Sequence, residues 1–507
     1  MKKILSLVLV IMMLLPTLAL AEWDGTITVV QSNDLINFDP IASTDTSNKN
    51  IIKNCMNRLF ETDDMFNPIP ILVKEYSVDE SGLVWTIKIH DTIKFFNGKT
   101  CTVDDVMFCL WRSKNGSSSG KTLLAPVAEM TKVDDYTFTI TTASTYPSLP
   151  TALSNSSTAI FDREFIAEIE AGNKTWFDMC SAGGGATGRY VLEERVIGDR
   201  AVLAKYEGYW NPDDAAKNEK LIFKIVPEGN TRTIMIQTGE ADLNVFFDTA
   251  TYDDIKDDPN VKLNSHLSSD TYYIAPNTVK GPFSNLKVRQ ALNYVINRED
   301  CLEVGANGHG NITYAIYPEM VYGYTPNPGN FEHSIEKAQA LLAETEYAAG
   351  FNCVGVVKSD VEERVAQVVQ AYLQMLNINM EIKRIDNTVM TETAKEGNFD
   401  LLFDHSAFYQ DPALFLGRQF HKDGIGAKNL SHYHNDKVDE LMKAASATFV
   451  QEERNEIYAQ IHEIIVTECA WVPLYVGTMY NLAGANVEDA LLNVETTYDY
   501  YRIYKTN

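Results

Sequence analysis

The chain has 507 residues, 45% hydrophobic and 22% charged, with 69 acidic against 43 basic side chains and a formal charge of −26. This composition is globular and excludes disordered or collagen-like architectures, and the length calls for two or three domains. The acidic excess argues against a nucleic-acid partner, because phosphate contacts need clustered Lys and Arg.

Lys2 and Lys3, an apolar run over residues 4–15, a break at Pro16 and the small-x-small sequence Ala19-Leu20-Ala21 read as a secretory signal cut after Ala21. The run is too short to span a bilayer. Glu22 follows the cut, so there is no lipoprotein cysteine. The mature protein is expected to be soluble and exported, periplasmic or extracellular. A β-branched run at 26–31 predicts a strand, and 48–60 has helical spacing. Residues 83–89 alternate as a half-buried strand. Asn97-Gly98 is a hairpin-type turn. Thr102 caps a helix with Asp104 and Asp105 in its first turn. Residues 115–120 form a Ser/Gly loop, and 137–141 another strand. Gly183 to Gly188 lead into a hairpin of strands 189–195 and 201–205 around Gly198-Asp199. A strand at 221–226 and a helix at 231–239 follow.

From there strands alternate with long helices at 288–297, 334–345, 361–376, 436–447 and 451–467. Strands 354–357 and 380–385 bracket the third helix, a βαβ unit that predicts a largely parallel sheet. The first half is richer in hairpins and the second in βα units, so the chain divides near residue 265. The seven cysteines, Cys55, Cys101, Cys109, Cys180, Cys301, Cys353 and Cys469, are odd in number and include no CxxC pair. At least one is left unpaired within the chain, and a zinc ribbon or thioredoxin-type site has no support.

Motifs that invite chemistry are weak in context. Gly116-Ser117-Ser118-Ser119-Gly120 spells GxSxG, but a nucleophile elbow needs a strand before it and a helix precedes here; a flexible surface loop is the preferred reading. With Lys121-Thr122 the same run nearly spells a P-loop, one residue short. His462-Glu463 starts like HExxH without the second His, and a solvated helix residue is preferred. His432, His434 and Asp436, with His421 upstream, could hold a metal only if they shared a face; a polar loop is preferred. Gly183-Gly184-Gly185 precedes a strand, so a tight turn is preferred to an anion cradle. No catalytic triad, acidic pair or cofactor fingerprint stands out, and no cofactor or metal is expected.

A collinear set of segments resembles the family-5 extracellular solute-binding proteins, the dipeptide and oligopeptide receptors of ABC importers. It comprises Phe38-Asp39-Pro40, the stretches at 69–89 and 91–108, Thr187-Gly188-Arg189-Tyr190, Glu207-Gly208-Tyr209-Trp210, Thr231-Arg232, Gln237 to Asp242, Pro282-Phe283, Val288 to Leu292 and Ile296-Asn297-Arg298. The resemblance implies an α/β fold of the periplasmic-binding-protein type (type II, cluster C), with two lobes, a hinge and an extra small domain in the first lobe. It places the signal at 1–21, the first lobe at 22–61, 181–265 and 478–507, the small domain at 62–180, and the second lobe at 266–477. It implies a non-enzymatic, monomeric receptor that passes a small solute, a peptide or a peptide-like molecule, to the membrane subunits of an ABC permease. An oligosaccharide, an opine or a metal chelate is the alternative solute; a secreted hydrolase is the rival class.

In peptide-binding members a W-x-x-D-x-x-[D/E]-P stretch supplies an Asp for the peptide's amino group. The corresponding run here is His405 to Pro412: His405 stands at the Trp position, Phe408 at the Asp position, and Asp411-Pro412 is retained. Phenylalanine cannot accept a charge-assisted hydrogen bond. The remaining candidates are Thr44, Asp45 and Thr46 in the loop after the first strand, Arg364 for a ligand carboxylate, and Tyr409, with Phe408, for apolar contact.

Overall fold

The computed structural model describes residues 23–42, 46–63, 66–408, 411–491 and 498–506. The expected signal segment, and with it Thr44, Asp45 and Tyr409, lies outside these residues.

The first lobe opens with β1 (Thr26–Gln31), whose Ile27, Val29 and Val30 are fully buried, and α1 (Thr46–Cys55). A small antiparallel sheet follows, built from β2 (Val73–Val78), β3 (Val84–Ile89), β4 (Val127–Lys132) and β5 (Thr137–Thr142) in the order β2-β3-β5-β4. Between β3 and β4 run α2 (Val103–Gly116) and α3 (Ser118–Leu123). The chain returns through β6 (Tyr190–Val196), β7 (Arg200–Lys205), β8 (Lys220–Ile225) and β9 (Leu243–Asn244). The long strand β10 (Val261–Pro276) leads to the second lobe, which holds β11 (Gly310–Ile312), β12 (Phe351–Val357), α4 (Asp360–Gln374), β13 (Ile378–Arg384), β14 (Leu401–Ala407), α5 (Pro412–Gln419), α6 (Asp436–Ala447) and α7 (Gln451–Thr467). β15 (Val472–Gly484) then runs back.

Among the described residues eleven strands form one sheet in the order β13-β12-β14-β10-β15-β9-β1-β8-β7-β6, with β11 also on β15. The predicted βαβ unit is present: β12 pairs in parallel with β13 and with β14. The sheet as a whole is mixed, not largely parallel, because β10 and β15 lie antiparallel at its centre and the β6-β7-β8 hairpins are antiparallel too. β10 and β15 are the strands shared by both lobes. They pair from Val261 with Gly484 to Leu267 with Thr478, lose register, and pair again from Thr271 with Val476 to Ile274 with Val472. A register break in a long ribbon concentrates bending at one place.

Each lobe has its own core. In the first, Ile51, Ile52 and Cys55 of α1 meet Trp85 and Ile87 of β3 and the C-terminal Tyr498, Tyr500 and Ile503. In the second, Tyr273 and Trp471 stack at 3.4 Å and Phe408, Phe415 and Phe420 surround them. Phe66, from a hairpin loop of the first lobe, crosses over: it is 2% exposed, sits in the second lobe's core and meets Phe408 edge-on at 5.1 Å. Its φ is +60°, a left-handed conformation that a bulky residue adopts only under constraint. All seven cysteines are buried free thiols.

Two local expectations are corrected. Residues 115–120 are not a loop: α2 continues to Gly116, Ser117 stands between helices, and its Oγ accepts from the Gly120 amide at 3.3 Å to start α3. Serine caps helices well, which composition alone reads as flexibility. His462 is not solvated: it is fully buried on α7, its Nε2 accepts from the Ile316 amide at 3.2 Å, and Tyr317 packs on its ring at 4.8 Å. Gly183 to Gly185 do form a turn, with φ +77° at Gly183, and a Cβ at Gly184 would fall 2.3 Å from the Asp178 carbonyl.

Burial pushes the His462 imidazole down from 6.5 to about 4. A depressed folded-state value means stability that is complete above 6.5 and is lost as pH falls toward 4, about 3 kcal/mol at the limit. His462→Gln, which keeps an acceptor for Ile316, should flatten the loss of stability between those pH values in urea melts. Phe66→Ala removes the ring that ties the lobes; small-angle scattering should show a larger radius of gyration for the variant, with near-native secondary structure by circular dichroism.

Candidate functional site

Helices α1, α3 and α5 converge on a cavity of about 780 Å³ between the lobes. α1 is buried on nearly all sides because its apolar stripe (Ile51, Ile52, Cys55) faces the first core while Lys49 and Lys53, one turn apart, line the cavity. Arg58 follows them on the wall. α3 adds Ser119 and Thr122, and Asn155 and Ser156 complete the first-lobe side. The second lobe supplies Phe415, Arg418 and Gln419 from α5, and Asp423 and Lys428 from the loop beyond it.

Behind the wall lies a buried charge cluster. Lys53, 8% exposed, pairs with Asp499 at 2.8 Å, and Arg58, 3% exposed, lies 3.4 Å from Glu61. Arg189 stacks on Tyr501 at 3.8 Å and donates to the Asp214 carbonyl at 2.9 Å. Burial pushes the Glu61 carboxyl up, but Arg58, Arg189 and Lys53 outweigh it and hold the group below the usual range. At Asp499 burial also acts upward and is likewise overcome, chiefly by Lys53. Buried carboxylates survive ionised only with such partners, so the cluster fixes the cations on the cavity side.

None of the five described positions singled out in the sequence lines the described wall of this cavity. Thr46 begins α1 and is half-buried. Asp411, 1% exposed, caps α5 through the Ala413 amide at 2.7 Å, while its Oδ2 accepts from Tyr322 and from Arg454, both at 2.8 Å. Phe408, 1% exposed, packs in the core against Phe66 and Phe415; its neighbours Ala407 and Phe415 reach the cavity. His405 stacks on Tyr272 at 5.0 Å, with Nδ1 3.8 Å from Glu362 Oε1. Arg364 is exposed on α4 and donates from Nε to the Val304 carbonyl at 3.0 Å.

The cations of the wall were missed in the sequence. Lys49 and Lys53 carry a signal, since they stand one turn apart opposite an apolar stripe, whereas Arg418 and Lys428 become neighbours of that helix only through lobe packing. Among the described residues one group has metal-ligand geometry, Glu362, Asp404 and His405. Lys358 pairs with Asp404 and lies 3.8 Å from Glu362, so an ammonium already supplies the positive charge there. His432 and His434 do not share a face: His432 Nε2 lies 2.6 Å from the Ala394 carbonyl, while His434 lies 3.2 Å from Asp436 and 3.6 Å from Asp439.

Comparison with known proteins places the chain. Residues 67–427 match the family model described as bacterial extracellular solute-binding proteins, family 5 Middle. The heme-binding protein A of Haemophilus influenzae (strain ATCC 51907 / DSM 11121 / KW20 / Rd) is 27% identical over 432 residues, 80% of this chain and 78% of that one. The glutathione-binding protein GsiB of Escherichia coli (strain K12) is 25% identical over 489 residues, covering 94% and 93%. Among solved structures, HbpA2 from Haemophilus parasuis superposes with a TM-score of 0.88 at 23% identity over 95% of this chain and 100% of that one. A dipeptide binding protein from Pseudoalteromonas sp. SM9913 in complex with Met-Leu gives 0.75 at 20%, covering 95% and 100%. With a two-lobed fold, a cavity between the lobes and a family model spanning most of its length, this chain belongs to the bacterial extracellular solute-binding proteins of family 5.

Proposed function

We propose that this protein captures a peptide or peptide-like solute in the interlobe cavity and delivers it to the membrane permease of an ABC importer without transforming it. The observation that carries the reading is the cavity itself. It is enclosed by helices from two lobes that share one pair of sheet strands, and its size suits a small solute. A hinge of this kind lets the lobes close over what they hold. The family supports export, and the reading takes residues 1–21 as a cleaved signal, with Glu22 as the first residue of the mature chain. Relatives named for heme, glutathione and dipeptides support a small organic cargo.

Of the sequence-derived positions, we keep Thr44, Asp45, Thr46 and Tyr409 as candidates for ligand contact. Phe408 and Asp411 support the wall from behind: the first packs Phe415, the second fixes the start of α5. Arg364 and His405 are kept as second-lobe candidates. The Glu362 carboxylate, 3.8 Å from Nδ1, raises the His405 imidazole above its ordinary 6.5, burial works against it, and Asp270 and Asp404 add to it. Such a pairing stabilises the fold fully below 6.5 and is lost as pH rises past the raised midpoint.

Native mass spectrometry of protein purified without denaturation should find a small organic solute bound one to one, and a peptide panel incubated with the protein should come back intact. Cleavage of the panel with turnover would refute the receptor reading. Glu362→Gln keeps the acceptor that caps α4 through the Lys358 and Ser359 amides but removes the charge; NMR titration should show the His405 midpoint falling in that variant.

A further inference from the structure

The parallel strands β12 and β14 end at Val357 and Ala407, and Ala407 lines the interlobe cavity. In open α/β sheets the carboxyl ends of such strands are where ligands are held. We propose that this edge of the second lobe carries a subsite, centred on Asp270, for a cationic nitrogen of the solute, an ammonium group; this rests on the receptor reading above and names its substrate class. Asp270 stands opposite Ala407 on the β10–β14 ladder, and Tyr272 stands opposite His405. Partners on such a ladder lie about 5 Å apart, and positions two apart share a face. Asp270 and His405 are therefore neighbours beside a residue of the cavity wall. Glu362 Oε1 lies 3.8 Å from His405 Nδ1 and Asp404 Oδ1 lies 4.0 Å from it. Three carboxylates thus face His405, and one ammonium, Lys358, stands among them, paired with Asp404 and 3.8 Å from Glu362. Even a protonated His405 leaves one negative charge over.

That charge falls on Asp270. The residue is half-buried, its amide donates to Ser268 Oγ at 3.0 Å, and its carboxylate meets His405 and the Ser268 hydroxyl; among the described residues no Lys or Arg pairs with it. Other buried carboxylates of the fold are answered, Glu61 by Arg58, Asp499 by Lys53 and Asp411 by Arg454. Burial pushes the Asp270 carboxyl above the usual carboxylate range and Asp404 adds to it, while His405 and Ser268 oppose this without overcoming it. A carboxylate taken out of water without a counter-charge is costly, and an ammonium set against it removes that penalty. Glu362 points the same way. It is 3% exposed, its Oε2 accepts from the Lys358 and Ser359 amides, and its Oε1 makes no hydrogen bond. An ammonium carries several donors on one centre and needs no fixed ligand set, whereas a metal ion would have to displace Lys358 from Asp404. Asp270 also lies within the register break of the β10–β15 ribbon, so a solute held there sits at the hinge.

The test uses the full mature protein and three pools built on the same random neutral tripeptides: with a free amino terminus, with that terminus acetylated, and acetylated with a Lys side chain added. Native mass spectrometry and calorimetry read the bound species, and the same spectra identify any solute the protein carries from its source. The bound species should come from the pools with an ammonium group, and the free-terminus and lysine pools tell which amine is held. Asp270→Asn should weaken those species about tenfold and erase their advantage over acetylated neutral peptides; a carried solute with a cationic nitrogen should be lost from the same variant. Asp270→Glu should keep the advantage, and Glu240→Gln, an exposed partner of Lys224, should not alter it. The advantage is the readout because a structural defect would weaken all pools alike. Acetylated neutral peptides bound as tightly as the others, a carried solute without a cationic nitrogen, or an advantage or a carried solute that survives Asp270→Asn would overturn this inference and leave the receptor reading standing. If no pool binds and the purified protein carries no solute of its own, the receptor reading falls with it.

Discussion

The architecture depends on one ribbon. β10 and β15 pair over most of their length and carry the main sheet from the first lobe into the second. Second-lobe strands flank them on one side and first-lobe strands on the other. Backbone hydrogen bonds across a two-stranded ribbon resist separation but yield to twist, and the break in register between Leu267 and Thr271 marks where twist is easiest. The two cores then behave as separate bodies, and relative motion between such bodies is the default for lobes joined so narrowly. Phe66 works against that freedom, because a side chain from one body is buried in the other.

The distribution of charge follows from what burial permits. Asp411 and Arg454 neutralise each other inside the second lobe, and Tyr322 satisfies a further lone pair. Breaking such a pair would strand an ion in a medium that solvates it poorly. Glu61 and Asp499 serve the first lobe in the same way, but their partners Arg58 and Lys53 lie at the cavity wall. The carboxylates are sealed behind and the cations are presented in front. Cations of both lobes thereby line the cavity of an acidic protein.

Much of this was legible in the sequence where periodicity is strong. The strand at 26–31, the helices at 436–447 and 451–467 and the hairpin around Gly198 fall where the pattern puts them. The central ribbon was not legible. β10 runs through Asn264, Ser265, His266, Ser268, Ser269 and Asp270, a polar stretch with no alternation, because a strand that borders a cleft has no single buried face. His462 was misread for a related reason: an imidazole that accepts one backbone N–H is as content inside as an apolar side chain, and letters alone do not reveal the partner. The cavity wall was read from family motifs at 405–412, whereas its cations sit on α1, on the last turn of α5 and in the loop after it. Their proximity is a property of lobe packing and leaves little trace in spacing.

The seven thiols have a practical consequence. Because each is sealed in a core, a fluorophore that attacks accessible sulfur has little to react with on the native molecule. One cysteine introduced on each lobe would then carry donor and acceptor dyes against a silent background. The opening and shutting of single molecules could be followed in real time without first stripping any natural sulfur from the chain.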